Sequence, residues 1–125
     1  MDHMEKVKEL RARTDRHINC AQAVLMTYSE EAGMTDEQAL TLCENFGTGM
    51  RRASVCGAVT GGLMALGLLG KGEETAREFQ KRFKERCQYM DCGDLLRKAH
   101  EEGEARKPHC DRMVYTAVEL IEELI

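Results

Sequence analysis

The chain has no tryptophan, three tyrosines, three phenylalanines and a single proline in 125 residues. With so little proline, little interrupts a helix. Glu, Lys, Arg, Ala and Leu are abundant, so an all-helical protein is expected. Strand signals are missing: no run alternates apolar with polar residues, and no hairpin turn lies between β-branched segments. No apolar run approaches the roughly 20 residues that cross a bilayer, so no membrane insertion is expected. The formal net charge of −4 argues against nucleic acid as the main partner. Residues 1–16 are charged throughout and do not read as a secretory signal. A cytoplasmic protein is therefore expected, and stable disulfides are unusual in that compartment.

Familiar cofactor patterns are missing as well. Without a C-x-x-C pair, the usual structural zinc site is removed. Without C-x-x-C-H, covalent c-type haem attachment goes with it. Ferredoxin spacings fail, because Cys87 and Cys92 have no third ligand nearby. Gly47-Thr48-Gly49 precedes a helix but follows no strand, and Arg52 stands where a dinucleotide fingerprint needs its third glycine. Nucleotide binding is set aside, although an anion could sit at the helix end near Ser54.

What the chain does have is cysteine, six in all. Four follow residues that favour a helix start: Asn19-Cys20, Ser54-Val55-Cys56, Asp91-Cys92 and Pro108-His109-Cys110. A helix N-terminus offers unpaired N–H groups and partial positive charge. Both favour the thiolate, the form that attacks disulfides and binds metals. Cys43 and Cys87 fall late in their helices and on apolar stripes, where packing explains them.

Hydrophobic periodicity predicts a single-domain all-α bundle of about five or six helices, with residues 1–16 as a polar helical lead-in and 17–125 as the cysteine-containing bundle. Thr35 and Gln38 have capping-box form, opening a helix that buries Ala39, Leu42, Cys43 and Phe46. Ser54 is expected to cap the central and most apolar helix, which runs to about Gly70. Glu78 and Arg82 form an i,i+4 pair on the helix after it. Pro108 is expected to begin the last helix.

Gly57 and Gly61 lie on one face of the central helix, four apart. A bare face lets another backbone or a bulky cofactor approach. Tight packing within the chain is the plainer explanation. Cys56 is the leading nucleophile candidate, beside the glycine loop and near Arg51 and Arg52. Cys20, Cys92 and Cys110 are candidate resolving partners. His17 and His109 are candidate proton shuttles.

The run Phe46-Gly47-x-Gly49-Met50, followed by Cys56-Gly57-Ala58-Val59-Thr60-Gly61, resembles the signature of the C_GCAxxG_C_C family of redox-active proteins. Cys20 matches that family's first lone cysteine, Cys56 the cysteine of its box, and Cys92 and Cys110 its last two. Cys43 and Cys87 have no counterpart. The likeness runs from about Arg16 to Ile125 and implies redox-active or cluster-binding thiols.

Three functions stay open at this level. The first is a thiol-dependent oxidoreductase in which Cys56 attacks, one of Cys20, Cys92 or Cys110 resolves, and a redox partner protein supplies electrons. In the second, the same four thiolates hold an iron–sulfur cluster or another thiolate-bound metal. The third is a helical interaction protein whose cysteines only pack. The glycine face and the last helix are also candidate contacts of a homo-oligomer. The first two readings require the four sulfurs to meet in one pocket.

Overall fold

Two reciprocal caps organise the N-terminal half. The Asn19 side chain accepts from the Gln22 N–H at 2.8 Å, and the Gln22 side chain accepts from the Asn19 N–H at 2.9 Å. Thr35 and Gln38 repeat the arrangement, as their spacing predicts. In this computed structural model, which describes residues 2–125, seven α-helices are present. They are α1 (His3–Ala12), α2 (Cys20–Thr27), α3 (Asp36–Cys43), α4 (Gly57–Leu68), α5 (Glu73–Cys87), α6 (Cys92–Glu101) and α7 (Arg106–Leu124). Among the described residues there is no strand, only an isolated antiparallel bridge between Val55 and Asp91. No helix among them is long and apolar enough to cross a membrane.

The sequence suggests five or six helices and the structure has seven. The polar lead-in accounts for the difference, because it is a full helix built into the core. Val7 and Leu10 of α1 are buried and pack in the common hydrophobic cluster. Met1, part of the expected lead-in, lies outside the described residues.

The innermost element is α2. Every residue from Ala21 to Thr27 is buried, as α1, α3, α4 and α7 surround it. The expectation that α4 is the central helix is corrected to that extent. Although α4 is the more apolar, Leu68 at its end is exposed. The glycine face of α4 meets α2. A Cβ built on Gly61 would come within 2.6 Å of the Ala21 carbonyl oxygen, and one on Gly57 within 3.1 Å of the Ala21 nitrogen. The close approach that Gly57 and Gly61 permit is thus made by this chain's own helix, not by a partner's helix or a cofactor. The last helix is likewise covered from within, packing against α1, α2, α4, α5 and α6.

Three local expectations shift. Leu42 is 47% exposed, because α3 turns Leu40 inward instead. Cys56, not Ser54, is the N-cap residue of α4, since the Ser54 carbonyl is taken by the Cys92 N–H at 2.6 Å. Helix α7 begins at Arg106, two residues before Pro108. Proline is tolerated there because N–H groups of the first turn have no partner inside the helix. The Glu78–Arg82 pair forms at 2.9 Å.

Candidate functional site

The Val55–Asp91 bridge sets the geometry of two helix starts. The Cys56 N–H donates to the Met90 carbonyl at 2.8 Å, and the Cys92 N–H donates to the Ser54 carbonyl. The segments leading into α4 and α6 are thereby tied together, with Cys56 as the N-cap of one helix and Cys92 as the first residue of the other. Gly49 makes room for this. Its φ of +57° suits glycine, and a Cβ there would fall 2.8 Å from the Cys92 Cβ. Around it Thr48, Met50, Arg51 and Ala53 also hold positive φ, a costly conformation for residues with a side chain.

Gly57 brings in the third cysteine, since a Cβ on it would lie 3.1 Å from the Cys20 Cβ. The fourth, Cys110, arrives from α7. All four line a single cavity of about 60 Å³. Cys20 and Cys110 are partly exposed, whereas Cys56 and Cys92 are buried. Cys43 and Cys87 stand apart. The Cys43 sulfur rests 3.6 Å from the Met64 sulfur, and burial pushes its thiol up to about 11. Burial also raises Cys87.

Only one of the four cavity thiols favours ionisation. Cys110 is drawn down to about 6, first by the Cys20 thiol donating to its sulfur, against the opposing effect of burial. The positive charges of Arg11 and Arg106 add to this. Cys20 moves the other way, well above the usual thiol range, because its proton is held between the two sulfurs and the site is buried. Cys56 is pushed up to about 12 by burial, which outweighs the backbone N–H groups of Ala58 and Val59. Burial raises Cys92 too, with the charge on Cys110 adding to it.

These facts correct the sequence reading in three places. Cys56 is placed at a helix start as expected, but burial outweighs the helix end and raises its thiol. Cys110 is the fifth residue of α7 and not part of its first turn. Neighbouring side chains, not unpaired helix N–H groups, are what ionise it. The cations are not Arg51 and Arg52. Arg51 donates to the Asn45 side chain at 3.0 Å and to the Glu44 carbonyl at 3.1 Å, and neither arginine lines the cysteine cavity.

Arg11 and Arg106 are the residues that sequence reasoning misses. Arg11 is 6% exposed. Its Nε donates to Asp111 at 2.6 Å and its guanidinium also donates to the Ile18 carbonyl at 2.7 Å. Its trace in the sequence is position, for Val7, Leu10 and Arg11 share the i, i+3, i+4 face of α1. Arg106 stands four residues before Cys110 on α7 and donates to the Thr48 hydroxyl at 3.1 Å. Both proposed histidines line the cavity. His109 is buried, and burial lowers its pKa. It stands 3.5 Å from Glu104 and 3.4 Å from Arg112, not against a sulfur.

Among the described residues, no group of three or more His, Cys, Asp or Glu side chains stands ready to hold one ion, so the four sulfurs as arranged do not form a metal or cluster site.

A family model described as "Putative redox-active protein (C_GCAxxG_C_C)" matches residues 18–124. The chain belongs to this family. No curated protein and no solved structure matches it. The C_GCAxxG_C_C box acquires a physical meaning here. Gly57 and Gly61 hold α4 tight against α2, and that contact delivers Cys20 to the cavity beside Cys56. In this member of the family the box glycines position the sulfurs.

Proposed function

We propose that this chain is a thiol/disulfide redox protein in which Cys110 attacks and Cys20 resolves. A single observation carries the reading: four cysteines line one cavity, and the two that are partly exposed, Cys20 and Cys110, are neighbours whose pKa values move in opposite directions. In the reaction, the Cys110 thiolate attacks one sulfur of a disulfide R–S–S–R. The S–S bond breaks, RS⁻ leaves and takes a proton, and a Cys110–S–S–R mixed disulfide forms. The negative charge that held the Cys20 proton is then gone, while the positive charge of Arg11, which favours the Cys20 thiolate, remains. Cys20 loses its proton, attacks the Cys110 sulfur and expels the second RS⁻. From the Cys110 thiolate, the protein loses two electrons and the Cys20 proton, solvent supplies the second proton, and the substrate becomes two thiols. A dithiol on a redox partner protein returns the electrons. Cys56 and Cys92 stay protonated as walls of the cavity.

The test is to expose the reduced chain to a small disulfide, block the remaining thiols and map the products by mass. A Cys20–Cys110 disulfide is expected, with a trapped mixed disulfide on Cys110 in the Cys20→Ser variant. A product that maps to Cys56 and Cys92 instead, or reaction unchanged by Cys110→Ser, overturns this assignment.

A further inference from the structure

A second cavity opens beside the cysteines, and positive charge predominates in its lining. It has a volume of about 290 Å³ and shares His17, Asn19 and Thr48 with the cysteine cavity, so the two adjoin. Arg16 and Arg51 line it, against a single acid, Glu44. Arg106 lines the cysteine cavity and donates to Thr48, which both cavities share. The hydrogen-bond partners of Arg51 are the neutral Asn45 side chain and the Glu44 carbonyl, which leave its charge uncompensated. Arg16 is exposed and enters no ion pair among the described residues. This is a cationic cleft on a chain whose net charge is −4.

The two volumes divide the work. A cavity of about 60 Å³ admits a sulfur and its neighbouring atoms but not a folded polypeptide. The adjoining cleft is close to the lower end of small-molecule sites, roughly 300 Å³, and holds the rest of a compact molecule. We infer that the substrate of this site is a small disulfide bearing carboxylate groups, its reacting sulfur at Cys110 and a carboxylate in the cleft between Arg16 and Arg51. This rests on the thiol/disulfide reading above and adds the substrate class. Arginine suits the task, because its fork of donors matches a carboxylate. The first exchange keeps one carboxylate-bearing half on Cys110, and the second, made by Cys20, releases it.

The experiment compares three symmetrical disulfides of similar size with the full chain. They are dithiodipropionate (anionic), hydroxyethyl disulfide (neutral) and cystamine (cationic). Each rate of thiol release is divided by the rate of the same disulfide with a neutral model thiol, which removes intrinsic reactivity. The anionic compound is expected to exceed the neutral one by about tenfold at low salt, with cystamine slowest. In Arg16→Glu that anionic-to-neutral ratio falls toward one, and Arg51→Gln lowers it in the same direction through a different residue. An unmodified chain that reacts without favouring the anion overturns the substrate class and leaves the thiol reaction standing. A preference that survives both substitutions overturns the cleft. No reaction with any of the three compounds overturns the thiol/disulfide reading itself, and the substrate class with it.

Discussion

Gly61 of α4 and Ala21 of α2 are in backbone contact, so close that a Cβ on Gly61 would reach within 2.6 Å of the Ala21 carbonyl oxygen. Cys20 is the residue before Ala21, and Cys56 lies at the start of the helix that carries Gly61. The contact therefore fixes where two sulfurs meet. Gly61→Ala gains helix propensity, worth about 1 kcal/mol, but the added carbon meets backbone that cannot rotate away. Overpacking of this kind costs about 1–3 kcal/mol. The expected outcome is a net loss of stability in chemical denaturation, together with a rise in the Cys110 pKa as Cys20 is pushed off it. A variant at least as stable as the parent, with unchanged thiolate titration, would show that the contact does not set the site.

How much of this was legible in the sequence follows from which interactions are local. The Thr35–Gln38 capping box and the helix-start positions of Cys20, Cys56 and Cys92 depend on neighbours within three or four residues, and the structure has them. The identity of the ionised thiol depends on Arg11, which reaches Asp111 across the whole length of the chain. No periodicity encodes that contact. Burial of Cys56 is equally non-local, because it comes from helices converging around the start of α4. The dipole argument treats a helix end as open to water, and at Cys56 it is not. The Gly57–Gly61 face was legible as a close approach, with packing inside the chain the plainer reading, but which helix fills it was not, since any backbone would satisfy it.

Arg11 offers a second prediction. It is buried, ion-paired to Asp111 and hydrogen-bonded to the Ile18 carbonyl. Arg11→Met strands Asp111 with only Lys107, at 2.8 Å, and removes a positive charge that favours the Cys110 thiolate. Breaking a buried pair in this way costs about 3 kcal/mol. The Cys110 pKa should rise as well, read as ultraviolet thiolate absorbance against pH. Arg11→Lys restores the charge without the fork, so it should recover much of the thiolate and less of the stability. If neither variant moved the titration, Arg11 would be structural alone.

His3 predicts a pH dependence remote from the sulfurs. Its ring bridges Glu31 at 2.6 Å and Glu122 at 2.5 Å, fastening α1 to the turn after α2 and to α7. The Tyr28 ring lies 4.3 Å away, and Lys6 also faces Glu31. Burial pulls the His3 pKa down, but the two carboxylates outweigh it and the net shift is upward. A group raised on folding stabilises fully below its unfolded value of about 6.5. That contribution is lost as pH rises through the folded value. Both carboxylates are partly in water, so screening holds the effect to about 1 kcal/mol or less. Thermal midpoints of the parent should therefore exceed those of His3→Gln by more at about pH 5.5 than at about pH 8. Equal differences at the two pH values would remove the histidine from the account.

Competition between the thiols gives the sharpest prediction. Limited alkylation near neutral pH should label Cys110 first, because it is ionised near pH 6 and partly exposed. Cys56, pushed up to about 12 and buried, should be labelled late. The rate at Cys110 should fall as the solution is acidified through about pH 6. The same titration bears on stability. A thiol whose pKa is lowered on folding stabilises the fold above its unfolded value, here about 9, and that contribution declines as pH falls toward 6. Cys20 and Cys56, raised on folding, act in the opposite sense once pH climbs above the unfolded thiol value. Replacing Cys20 with alanine removes the donor that Cys110 depends on most, so the pH midpoint of labelling at Cys110 should move upward. First labelling at Cys56, or a Cys110 midpoint indifferent to Cys20→Ala, would mean that the sulfurs do not share a proton, and the Cys20–Cys110 couple would fall with it.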